Sequence, residues 1–249
     1  MNLIWEFLSE PGNWTGSDGI PVRIVQHLGY TAITLVIAAA IAIPLGLAIG
    51  HTGRGRVVVV NIVNGVRSVP TLGLLFLAVL LIGPRLQGDV AFLAPSIFVL
   101  VILAIPPILA GTYAGVEGVD PQARDAAKAM GMSGREVLAQ VEIPCALPLI
   151  FSGLRSAALQ VVATATIAAA VSLGGLGRYL IDGQAVRDYG QMAGGAVLVA
   201  LLALAIDGVF ALVQQLAVSP GLRPVRRVNR RRLKISFKTT NPTEASEAI

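Results

Sequence analysis

Charge is scarce in this sequence. Only 13% of the 249 residues are Asp, Glu, Lys or Arg, where a soluble domain carries about a quarter. A soluble globular class is excluded on that ground. Cysteine is nearly missing: Cys145 stands alone, which rules out an internal disulfide and a cysteine-based zinc cluster. Two histidines, His27 and His51, leave little for metal chemistry, so no metal, cofactor or catalytic residue is expected. The nucleotide-binding pattern G-x-x-x-x-G-K-S/T does not occur, and ATP is not bound by that route. Neither G-x-S-x-G nor H-E-x-x-H is present, which argues against an intramembrane hydrolase.

What the chain has in quantity is Ala, Val, Leu and Ile. Hydrophobic residues make up 55% and the mean hydropathy is +0.75. They fall in runs of about twenty, the length a helix needs to cross roughly 30 Å of hydrocarbon; barrel strands are about half as long and alternate. The fold class is therefore all-α and polytopic, with five expected spans: His27 to Ile49, Val57 to Gly83, Ala91 to Tyr113, Leu147 to Val171 and Gly194 to Val218. Pro70 interrupts the second, which is either one bent helix or two short pieces. Residues 1–26 carry Glu6, Glu10 and Asp18, unlike a cleavable leader. Trp5, Phe7 and Trp14 fit a stretch lying at a membrane interface, or else a loosely ordered tail.

Basic residues set the expected orientation, because positively charged loops stay in the cytoplasm. With the amino terminus outside, Arg54 and Arg56, then Arg124, Lys128 and Arg135, and finally the tail from Arg223 to Lys238 all lie inside. The outer segments keep only Arg23, Arg85, Arg178 and Arg187, near acids such as Asp89, Asp182 and Asp188. Three regions result: an extracytoplasmic or interfacial segment 1–26, a membrane domain 27–218, and a basic, largely disordered cytoplasmic tail 219–249. The tail's RPVRRVNRRRLK run touches anionic lipid and fixes topology rather than binding nucleic acid.

The segment between the third and fourth spans, about 114–146, carries helix punctuation. Asp120 caps a helix that starts at Pro121, and Gly131 closes it in the left-handed conformation. A second helix starts at Ser133, with Glu136 completing a capping box, and ends before Pro144. Two short helices are thus expected there.

These residues form a pattern: Asp125, Ala126, Ala127, three residues, Gly131, nine residues, then Val141, Glu142, Ile143 and Pro144. It resembles the EAA loop of binding-protein-dependent ABC importer permeases, E-A-A, three residues, G, nine residues, I-x-L-P. Asp125 replaces Glu, Val141 replaces Ile and Ile143 replaces Leu, each keeping charge or apolar character. The resemblance implies the type I importer fold, with Asp125, Ala126, Ala127, Gly131, Val141, Ile143 and Pro144 as the element that couples to cytosolic ATPase subunits. It extends from about Ile20 to Leu222. Arg67-Ser68-Val69-Pro70-Thr71-Leu72, Gly153-Leu154-Arg155 and the run ATIAAAVSLGGLG from Ala165 to Gly177 resemble the subfamily that imports glycine betaine, carnitine and choline. The EAA pattern alone also admits amino acid systems such as those for methionine. A secondary transporter or channel, the rival from another class, explains the spans but leaves this loop unexplained.

Arg67, Arg155 and Asp207 fall within apolar runs, and charge in lipid demands a partner. Similar depths, roughly 10 to 15 Å from the inner ends of their spans, pair Asp207 with Arg155 or with Arg67, as a strut or as a contact that changes during transport. Arg67, Ser68 and Pro70 are gating candidates, and Thr164, Thr166 and Ser172 are weaker pathway candidates. Gly46 and Gly50 mark a close helix contact. Quaternary ammonium groups are held by aromatic cages, yet aromatics are only 5% here. Solute capture is therefore assigned to a separate extracytoplasmic binding protein. Five spans enclose little pathway alone, which implies a second permease chain, as a homodimer or heterodimer, in the inner membrane.

Overall fold

The computed structural model describes residues 2–218 except 56, 58, 60, 62–64 and 67. All regular structure among them is helical. We number the helices α1 (Asn2–Ser9), α2 (Ile20–Thr52), α3 (Thr71–Ile82), α4 (Val90–Glu117), α5 (Pro121–Ala129), α6 (Gly134–Val171), α7 (Gly177–Val186) and α8 (Tyr189–Ala217). Four of these, α2, α4, α6 and α8, are long and apolar enough to cross a membrane.

Each long helix overruns the apolar stretch expected for it, because polar residues at its ends continue the backbone ladder beyond the hydrocarbon. The largest overrun is α6. Its 38 residues reach about 57 Å at 1.5 Å per residue, nearly twice the roughly 30 Å hydrocarbon thickness. The expected stop before Pro144 is therefore corrected: the chain passes through Pro144 without leaving the helix. Residues Leu138–Glu142 form a π turn, in which Ile143 N–H donates to Leu138 C=O. That wider turn falls where the Pro144 ring would crowd the carbonyl four residues back, and it absorbs the register change at the missing amide.

The second expected span is broken. Residues 57, 59, 61, 65, 66 and 68 are helical, Val69 and Pro70 are not, and α3 starts at Thr71 with Pro70 in extended conformation as its N-cap. At 12 residues, α3 spans only about 18 Å. Arg67 lies outside the described residues, as do Arg56 and the basic tail.

At the centre is α4, packed between α2 and α6. Ala38 and Ala42 of α2, Ile108 and Leu109 of α4, and Ala157 and Val161 of α6 form one buried cluster. Small residues let the backbones approach, the usual basis of packing in lipid. A Cβ on Gly46 would sit 2.7 Å from Thr112 Cβ, and one on Gly50 would sit 2.7 Å from Val116 Cβ. Leu75 and Ala78 of α3 pack on Leu100 and Leu103 of α4 and on Ala165 and Ala168 of α6. Leu201, Leu204, Val209, Leu212 and Leu216 of α8 face outward, as lipid-facing residues do.

The amino-terminal segment is ordered. Asn13 Nδ2 and Trp14 Nε1 donate to the Phe7 and Leu8 carbonyls at 2.8 Å, closing α1. Phe7 meets Tyr179 of α7 edge-on at 5.3 Å between ring centroids, while Trp5 stays exposed. Helix α7 had no counterpart in the sequence reading.

Candidate coupling segment and membrane pathway

Helix α5 is built by its own punctuation. Asp120 accepts from Gln122 N–H at 2.9 Å, and Pro121 occupies the first turn, where its absent N–H costs nothing. At the other end Gly131 has φ +88°. Gly131 N–H donates to Lys128 C=O at 2.9 Å and Met132 N–H to Ala127 C=O at 3.2 Å, the paired bonds of a Schellman stop. The Ser133–Glu136 capping box opens α6: Ser133 N–H and Oγ both donate to Glu136 Oε2 at 2.7 Å. Those donors hold the Glu136 carboxyl below its ordinary pKa. Glu136 precedes the apolar part of α6 and lies outside the membrane-spanning segment.

Of the seven coupling candidates, Asp125, Ala126 and Gly131 are exposed, Ala127 is buried under the helix, and Val141, Ile143 and Pro144 are half-buried on the root of α6. Met130 at the tip of α5 is 74% exposed. A short helix thus offers one acidic and several small or apolar groups to a partner while its other side is anchored.

The anchor is a cluster that sequence reasoning missed. Glu142 is 2% exposed. Its Oε2 accepts from His51 Nδ1 at 2.6 Å, and its Oε1 lies 2.8 Å from Arg124 Nε. Arg124 also donates through Nη2 to Val116 C=O. One buried carboxylate therefore joins the last turn of α2, helix α5 and the root of α6, and Arg124 ties in the end of α4. An acid within the apolar Val141-Glu142-Ile143 stretch was the available signal; its partners, one 91 residues away, were not legible locally.

Within the apolar zone the structure brings Arg155 and Asp207 together. Arg155 Nε and Nη2 donate to the two oxygens of Asp207, a forked pair joining α6 to α8. Gln214 Nε2 adds a second polar tie, to Pro148 C=O at 3.1 Å. Thr164 and Thr166 hydroxyls donate to Gln160 and Val162 carbonyls of their own helix at 2.8 and 3.0 Å. Ser172 ends α6 in the left-handed region at φ +67° and is exposed. Ser68 Oγ donates to Gly65 C=O at 2.7 Å.

Beside the Pro70 break lies a cavity of about 130 Å³ lined by Val66, Val69, Thr71, Leu103, Pro106, Pro107 and Gln160. Pro107 has no N–H to donate to Leu103 C=O four residues back. Gln160 Nε2 of α6 takes that place at 3.1 Å. A broken helix and a continuous helix that lacks a ladder donor at Pro107 thus face one hollow, the setting in which unmet backbone groups are tolerated at membrane depth. Gln160 and the proline pair were not singled out from sequence; adjacent prolines within an apolar run were the missed signal.

The far end of α6 is held by α2. Gly175 N–H donates to Gln26 Oε1 at 3.0 Å, and His27 Nε2 donates to Val162 C=O at 3.1 Å.

With this geometry in place, a family model described as "Binding-protein-dependent transport system inner membrane component" matches residues 40–224. The chain belongs to that family. The match by this transport family takes in the candidate coupling segment, all of α3 to α8 and the carboxyl-terminal part of α2 from residue 40. Among curated proteins, the glycine betaine/carnitine/choline transport system permease protein OpuCB of Bacillus subtilis is 34% identical over 92% of this chain and 100% of its own length. The choline transport system permease protein OpuBB of the same organism is 30% identical over the same shares. Among solved structures, a chain of the inward-facing MetNI methionine ABC transporter is similar with a TM-score of 0.72. It is 22% identical, over 85% of this chain and 100% of that one. The fold is that of type I ABC importer permeases, and the chain is a multi-pass transport component of the inner membrane.

Proposed function

We propose that this chain is the membrane-spanning permease subunit of an ATP-driven importer of small quaternary ammonium osmoprotectants such as glycine betaine, carnitine and choline. The observation that carries the reading is full-length similarity, at 34% identity, to a permease named for those three solutes. The likeness to the methionine transporter, at 22% identity, supports the fold and not that substrate.

In this reading Asp125, Ala126 and Gly131 lie on the surface on which a cytosolic ATPase docks, with Ala127 buried beneath it and Val141, Ile143 and Pro144 at its root on α6. A capped nine-residue helix with small exposed side chains suits a groove on a partner. ATP closure of two ATPase subunits shifts the population of permease states by pushing on α5. The amino terminus lies outside and the carboxyl terminus inside, following the basic residues. An extracytoplasmic binding protein delivers solute, because aromatics are too few here for a cage, and a second permease chain completes the pathway. Ser68, Pro70 and Gln160 line that pathway beside the proline-broken cavity, with Arg67 immediately before Ser68 in sequence. Thr164, Thr166 and Ser172 pack or terminate α6. The Arg155–Asp207 pair acts as a strut between α6 and α8.

The test is reconstitution in proteoliposomes with the ATPase and binding protein expressed from neighbouring genes. ATP-dependent accumulation of labelled glycine betaine, carnitine or choline, and none of methionine, is the expected result. Uptake that proceeds without ATPase subunits would replace this reading by a secondary transporter.

A further inference from the structure

We propose that Glu142 is a positioning residue that makes a push on the coupling helix move α2 and α6 as one body, through its contacts with Arg124 and His51; this rests on the importer reading above. The geometry carries it. Glu142 is 2% exposed, and a carboxylate taken out of water needs compensating donors. It has one hydrogen-bond donor, His51 Nδ1 at 2.6 Å, and one ion-pair partner, the Arg124 guanidinium at 2.8 Å, from two different helices. With the carboxylate as acceptor, the His51 proton resides on Nδ1. His51 also bears on the start of α6: its Nε2 lies 3.6 Å from where a Cβ on Gly134 would stand.

Arg124 sits on the turn of α5 just before Asp125 and Ala126, so any displacement of that surface is felt at the guanidinium. Glu142 closes the π turn, the place in α6 where the ladder changes register. A wide turn of this kind frequently marks a functional bend. Without the carboxylate, α5 would still be capped and still offer its surface. It would lose its ionic links to α2 and α6 and keep the Arg124 bond to Val116 C=O of α4.

The experiment uses the assembled transporter in proteoliposomes, reading ATP hydrolysis and solute uptake in the same sample. E142Q is expected to co-purify with the ATPase, hydrolyse ATP, and lose about tenfold in solute moved per ATP, within the range of coupling between sites. H51Q breaks one arm and is expected to lose less. In R124M/E142M apolar groups replace both charges; thermal stability is expected to return toward wild type while solute per ATP stays low. That separation marks positioning as distinct from mere support. Recovery of both stability and coupling in R124M/E142M would overturn the proposal, as would an unchanged ratio in E142Q. If E142Q does not fold, R124M/E142M and H51Q decide, and unchanged ratios in both overturn it. Wild-type vesicles that accumulate none of the three osmoprotectants with ATP would sink the importer reading instead, a distinct outcome.

Discussion

Gly131 is a position where one atom matters. At φ +88° a Cβ adds strain of about 1–2 kcal/mol, so G131V is expected to loosen the end of α5 and weaken ATPase association about tenfold, measured by titrating the ATPase onto the purified permease. Gly46 acts through space rather than torsion. G46L must push α2 from Thr112 of α4, and overpacking of this kind costs about 1–3 kcal/mol, readable as a lower unfolding temperature in detergent. Glu136 provides a pH test. Its folded pKa is lowered from the ordinary 4.5 by the two Ser133 donors, so its stabilising contribution is complete above 4.5 and is lost as pH falls through the lower folded value. Amide protection at the start of α6, with exchange corrected for its intrinsic pH dependence, is expected to stay flat from pH 8 to about 5 and to fall in acid; in E136Q, where an amide can keep the cap, that fall disappears. Gly131 and Glu136 were legible because their partners lie within four or five positions, and Gly46 because its spacing to Gly50 is itself a signal of close packing. Glu142 and His51 were not, because only the packing of α2 against α4 and α6 brings their stretches together.

At the scale of helices, periodic apolar length located α2, α4, α6 and α8, while local rules misjudged where they end. Pro144 reads as a stop because a proline removes a donor, yet the π turn before it carries the helix past. Nothing in the residues from Leu138 to Glu142 announces that turn. The tie between α6 and α8 was half legible: depth along the spans matched Asp207 to two arginines, and the structure pairs it with Arg155. D207N is expected to lower thermal stability and membrane accumulation, and R155D/D207R to recover both. If the pair is a strut, uptake rises in step with the amount of folded protein; recovery of stability without uptake would assign it a role in the transport cycle instead. Helix α7 escaped notice because its ten residues mix charge and glycine among the apolar ones and are too short for a span.

For the whole molecule, the proposed orientation predicts that a fluorescent protein fused after Ile249 lights up inside cells, and that protease added to spheroplasts leaves the 120–145 region uncut. Cleavage there from outside would invert the topology. The overall plan was readable because lipid tolerates few architectures, whereas the order of packing around α4 depends on where glycine and alanine let backbones meet. One dimension has a mechanical result. Since α6 runs unbroken from Gly134 to Val171, it acts as a lever. A tilt of about 5° about its root swings the opposite tip through about 5 Å, close to one helical pitch. Gly175 just past that tip and Val162 within the helix are tied to α2 by Gln26 and His27, so a stroke delivered at one face would arrive at the other in the same movement.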